Sequence, residues 1–81
     1  MSTIDEVAET LGESYGELIR ASLGDLADGH NPFHSVTGLQ PAAVFAQVHG
    51  RVVDSSDATD VAEMNRIVAI WRKGYDRGLG A

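Results

Sequence analysis

The sequence predicts a small all-α protein: a bundle of three helices at about residues 3–27, 41–53 and 57–78, with a long loop at 28–40, folded as one domain over 1–81. Three observations predict it. Val61, Met64, Val68, Trp71, Tyr75 and Leu79 recur three or four residues apart, which is the period of one helix face. Ile4, Val7, Ala8, Leu11, Tyr15, Leu18, Ile19, Ser22 and Leu26 hold one face for about six turns near the start. Between these two runs, Gln40-Pro41 marks another helix start, because proline is tolerated at a first helical position, where its missing N–H is not needed.

The first helix opens on Thr3 and Glu6, spaced as a capping box in which each side chain satisfies a backbone donor. Gly12 and Gly16 should each cost about 1 kcal/mol in a helix interior relative to alanine. The apolar phase nevertheless runs through them without a slip, so one unbroken helix is expected. Ala8, Gly12 and Gly16 lie four apart, a spacing that reads either as the close approach of a neighbouring backbone or as two tolerated glycines at a bend. On the other side of the helix, Glu6, Glu9, Glu13, Glu17 and Arg20 form a charged stripe. Its like charges four apart each cost a few tenths of a kcal/mol. The stripe reads either as a solvated, solubilising face or, because mixed charges would have solubilised the helix without this repulsion, as a docking surface for a cationic partner.

The connection DGHNPFHSVTGLQ is rich in turn formers. Asp28-Gly29 ends the first helix, and Asn31-Pro32 forbids its resumption. A loop this long is unusual in so small a domain, and Phe33, Val36 and Leu39 are expected to fold it down as a lid over one end of the bundle. The second helix takes Val44, Phe45, Val48 and Val52 as its apolar side, with His49 and Arg51 at the margins and Gly50 as a weak point.

Asp54-Ser55-Ser56-Asp57 stops that helix and caps the third, whose first turns carry Asp57, Asp60 and Glu63 and whose last carry Arg72, Lys73 and Arg77. This order matches the helix dipole at both ends. Gly78-Leu79-Gly80-Ala81 reads as the helix stop. Behind the core face runs a second line, Arg66, Ile70, Lys73 and Arg77, in which Ile70 is expected to stand outside the core as the centre of a contact patch. In an up-down-up bundle the first and last helices run parallel, which brings Arg72, Lys73 and Arg77 towards Asp25 and Asp28.

Little in the chain suggests chemistry. His30, His34 and His49 with Asp28 are the one set with metal-ligand side chains, but Pro32 stands between the first two, so no helix imposes a ligand geometry. They read as loop histidines bonded to backbone and water, and no metal or cofactor is expected. Ser35, His34 and Asp28 lack a strand-turn-helix elbow and an oxyanion site, and no glycine-rich phosphate motif precedes a GK[ST] element, so the chain is not expected to be an enzyme. Asp54-Ser55 is similar to the start of the Asp-Ser-Leu attachment site of acyl carrier proteins, yet Ser56 takes the apolar third place and only one helix follows. Trp71-Arg72-Lys73-Gly74 has the wrong spacing for the Trp-x-Gly turn of paired-helix secreted proteins.

The totals bound the function class. The formal charge is −6, from 12 acids against 6 Lys and Arg, which argues against direct binding to nucleic acid or anionic lipid. Residues 1–28 carry seven acids and one Arg, whereas 64–81 carry four basic residues and one acid. Cysteine is absent, so neither a disulfide nor a thiolate site supports a domain whose size alone gives modest stability. The absence fits a reducing compartment, and neither a signal peptide nor a membrane span is expected.

The expectation is a non-enzymatic protein–protein interaction module, a small subunit or adaptor of a larger assembly such as a phage-like particle or an oligomeric complex. It would work in the cytoplasm or within a particle assembled inside a cell. Docking is expected through Glu6, Glu9, Glu13 and Glu17 on the first helix and Arg66, Ile70, Lys73 and Arg77 on the last, to a protein partner or a second copy. The alternative is an acidic inhibitor that mimics nucleic acid, since a charge spacing of ~6 Å per step along the helix face is not far from that of a phosphate ladder.

Overall fold

A computed structural model describes residues 3–28, 31–33 and 40–80, and among these the chain is helical, with no strand. Helix α1 is Thr3–Leu23, followed by a 3-10 helix Gly24–Ala27; α2 is Pro41–His49 and α3 is Ala58–Gly80. The three-helix bundle expected from periodicity is present, with boundaries moved by identifiable residues. Thr3 is already helical and not the residue before the helix that the capping-box spacing made it. Gly24, at φ +57°, turns the chain out of α1, and Leu26 is carried from its expected apolar face to 80% exposure.

Helix α2 stops four residues short of expectation because Gly50 takes the left-handed conformation, φ +72°, while its N–H donates to the Ala46 carbonyl. This is the usual glycine helix stop. Val52 therefore lies beyond the helix and is 82% exposed, not on its apolar side. Asp57 caps α3 as its spacing suggests, accepting a hydrogen bond from the Thr59 N–H at 2.9 Å. At the other end, Gly78-Leu79-Gly80 continues the helix instead of stopping it. Val36 and Leu39, expected in the lid, lie outside the described residues, whereas Phe33 is half-buried with its ring 5.4 Å from that of Trp71.

Helix α1 passes through Gly12 and Gly16 unbroken, and these glycines form its contact with α3. A Cβ at Gly12 would collide with the backbone carbonyl of Trp71, and one at Gly16 with that of Tyr75. The relation is reciprocal: a Cβ at Gly74 would strike the carbonyl of Glu9, and one at Gly78 that of Glu13. Positions rise together along both helices, so α1 and α3 run parallel, backbone on backbone, closer than the 8–10 Å usual where side chains intervene. The pairing of α1 with α3 dominates the tertiary contacts. Helix α2 runs back along them, His49 beside Glu63 and Arg51 beside Asp60.

The core contains Ala8, Ala27, Val44, Phe45, Ile67, Trp71, Tyr75 and Leu79. Trp71 and Tyr75 stack with centroids 5.4 Å apart, and Tyr15 packs on both at 5.6 and 5.9 Å. The buried side of α3 is turned from the expected one: Ile67, absent from the expected face, is fully buried, while Val61, Met64 and Val68 are only half-buried. The reason is steric. The line of closest approach follows Gly74 and Gly78, the smallest residues, and the apolar side chains flank it.

Candidate functional site

Three of the eight residues expected to meet a partner, Glu9, Glu13 and Arg77, meet each other, and a fourth, Arg66, is taken by other acids of the chain. Arg77 donates from Nε to Glu13 Oε2 at 2.6 Å and from Nη1 to Glu9 Oε2 at 2.9 Å. Arg66 donates to Asp5 at 2.6 Å and to both oxygens of Glu63 at 2.7 and 2.8 Å. Because α1 and α3 are parallel and long side chains lean towards the helix N-terminus, Arg77 reaches back to these carboxylates and not to Asp25 or Asp28. Asp28 is taken by Arg20 Nη2 at 2.6 Å, whose Nε also donates to the Leu79 carbonyl at 2.6 Å.

Ile70 is half-buried and packs against the core, so its expected isolation outside the fold does not hold. Lys73 is exposed. The remaining two of the eight residues, Glu6 and Glu17, are exposed and have no ion pair among the described residues. All five arginines are engaged, since Arg51 forms a two-pronged bridge to Asp60, both arms 2.8 Å, and Arg72 meets Asp76 at 3.4 Å.

The α2–α3 junction is the second charged centre. Arg51, with help from the Asp54 N–H that donates to the same carboxylate at 3.0 Å, holds the Asp60 carboxyl well below the usual carboxylate range. Arg66, then His49, lowers Glu63 in the same direction. The His49 Nε2 lies 3.0 Å from Glu63 Oε2, and its ring stacks on Phe45 with centroids 4.5 Å apart. His49 is thus occupied in packing α2 onto α3. His30 and His34 lie outside the described residues, among which no three His, Asp or Glu side chains gather as metal ligands do.

Besides a depression of about 470 Å³ on α3, lined by Ala58, Thr59, Ala62, Glu63 and Arg66, there is open surface along α1. A depression of about 260 Å³ is lined by Leu11, Ser14, Tyr15, Leu18, Gln47 and Trp71. A second, of about 270 Å³, is formed by Thr3, Glu6, Val7, Thr10 and Leu11. Leu11 belongs to both, so they make one seam from Thr3 to Leu18, about 22 Å long at the rise of a helix. Each is smaller than the roughly 300–1,000 Å³ of small-molecule sites and is of a size for single side chains. Val7, 39% exposed, and Leu18, 59% exposed, stand on the seam, and Glu6 and Glu17 stand beside it.

Sequence reading placed Val7, Leu11 and Leu18 on a buried face because helical phase is the same for a residue at the centre of an apolar arc and one at its edge. The signal that marks them is the width of that arc. It exceeds what one close-packed helix covers, and α2, with nine residues against the 21 of α1, is too short to cover the rest.

Among the described residues, fold and surface define a small all-α bundle, locked by glycine contact, with an apolar seam on α1 beside two carboxylates that have no ion-pair partner. Compared with protein-family models, with curated proteins and with solved structures, the chain matches none. No described helix is long and apolar enough to cross a membrane.

Proposed function

We propose that the protein is a non-enzymatic protein–protein interaction module, a small subunit or adaptor of a larger assembly, that docks through the outer face of α1. The observation that carries this reading is the seam. Val7 and Leu18 remain in water while the rest of the apolar residues of α1 are at least half-buried up to Ile19, and a contiguous apolar strip beside charged residues is the usual form of a protein contact. Glu6 and Glu17 keep their charge uncompensated beside it. Of the expected docking residues, these two carry the proposal, while Glu9, Glu13, Arg66 and Arg77 serve to join α1 to α3. The partner is a protein; a net charge of −6 disfavours direct contact with nucleic acid or a lipid surface. The site of action we propose is the cytoplasm or a particle assembled within the cell.

The nucleic-acid-mimic reading needs an unbroken ladder of free carboxylates. Glu9 and Glu13 are both on Arg77, and the α1 carboxylates without an ion pair among the described residues, Glu6 and Glu17, are eleven residues or about 16 Å apart, a spacing that favours the interaction reading over the mimic.

Carboxyl and radical footprinting tests the interaction reading. Residues Glu6, Glu17 and Leu18 are expected to be protected in extract from cells that make the protein and open in the purified chain. Identical footprints in both, for a protein that sediments as a monomer in extract, would end it.

A further inference from the structure

The seam also limits what can occupy it. Among the described residues there is no strand whose edge an extended peptide could join, and the backbone donors and acceptors along α1 are spent inside the helix. An extended segment would gain no backbone hydrogen bonds there. A helix satisfies its own backbone and presents side chains about every 5.4 Å along one face, which suits side-chain-sized depressions that share Leu11.

Charge narrows the choice further. Glu6 and Glu17 are eleven residues apart, three turns, and therefore on the same side of α1. Neither has an ion-pair partner among the described residues, and all five arginines are engaged elsewhere. A second copy of the chain would bring a further −6, the same committed arginines and, among the described residues, one unpaired cation, Lys73, where Glu6 and Glu17 call for two. The stretch 34–39, HSVTGL, contains no Lys or Arg with which to neutralise the pair.

We infer that the α1 seam receives an amphipathic α-helix of a partner protein. Its apolar residues lie on Val7, Leu11 and Leu18, and two basic residues about three turns apart meet Glu6 and Glu17. This rests on the reading of the protein as an interaction module and specifies the partner that reading left open.

The probe is a synthetic helical peptide of about 18 residues with a leucine seam and two lysines eleven positions apart, titrated against the full chain. Trp71, the sole tryptophan, lines the seam and reports occupancy by its emission; calorimetry gives the affinity. Binding is expected to weaken about tenfold or more when both lysines become Glu, to weaken equally for the Glu6→Lys, Glu17→Lys protein with the original peptide, and to recover when those two altered partners are combined. Leu18→Ser should abolish binding with unchanged helicity.

Affinity independent of charge overturns the inference, as does failure of every peptide. If Glu6, Glu17 and Leu18 are nonetheless protected in cell extract, the partner class is wrong and the interaction reading stands. If they are open there too, both fall. Protection produced by the purified chain alone as its concentration rises would assign the seam to a second copy, and the inference would fail.

Discussion

The backbone carbonyl of Trp71 lies over the Cα of Gly12, where a methyl group would have no room. This contact, with its counterparts at Gly16, Gly74 and Gly78, turns residues that weaken isolated helices into the centre of the fold. Each glycine costs about 1 kcal/mol of helix propensity, and together they let two parallel helices pack main chain to main chain.

Replacing Gly12 or Gly78 with alanine should accordingly have the opposite sign from the usual glycine-to-alanine change in a helix. A loss of about 1–3 kcal/mol is expected, as for overpacking a filled interior. Gly80→Ala, where nothing crowds an added Cβ, should cause no loss. Urea melts of the three variants check this, and stabilisation by Gly12→Ala would show that the helices can separate without cost.

Gly50 owes its place to conformation and not to crowding, since its added Cβ meets nothing but its φ is +72°. Gly50→Ala should therefore cost about 1–2 kcal/mol from the left-handed backbone alone. Thermal melts should show this loss at every ionic strength.

Acid stability should depend on Arg51. The native Asp60 carboxyl ionises well below its ordinary value of 3.8, so its stabilising contribution is complete above that value and is lost only as the pH falls towards the native one. In Arg51→Ala the native carboxyl moves back towards the ordinary range, the contribution shrinks, and acid unfolding should begin at higher pH. Circular dichroism against pH compares the two, and superimposable curves would deny Arg51 this role.

The Arg77 bridge to Glu9 and Glu13 is half-exposed, so Arg77→Ala should cause a small loss that shrinks as salt is added. The same change frees Glu9 and Glu13 on the stripe that carries Glu6 and Glu17, so it should strengthen, not weaken, the attraction of a basic peptide.

Leu18 and Ile67 separate folding from docking. Ile67→Ala, in a fully buried position, should cost about 2–5 kcal/mol, enough to unfold much of so small a domain. Leu18→Ser should stay within about 0.5 kcal/mol of the parent while removing an anchor of the seam. Melting curves and peptide titration of each variant distinguish the two roles.

The sequence by itself determined the class of fold, three helices in up-down-up order, the Asp57 cap, the burial of Trp71, Tyr75 and Leu79, and the passage of α1 through Gly12. Each of these follows from helical period or from a local hydrogen bond, which depend on neighbours in the chain. It also showed the glycines four apart. What only the tertiary structure decided is which way each helix is turned. Hydrophobic periodicity marks the arc of large apolar residues, but the closest approach follows the smallest ones, so Ile67 went inside while Val7 and Leu18 stayed out. The charged stripes were legible as stripes; that Arg66 and Arg77 close on Asp5, Glu9 and Glu13 depends on two helices sixty residues apart lying parallel at contact distance, and no local property of either helix encodes that.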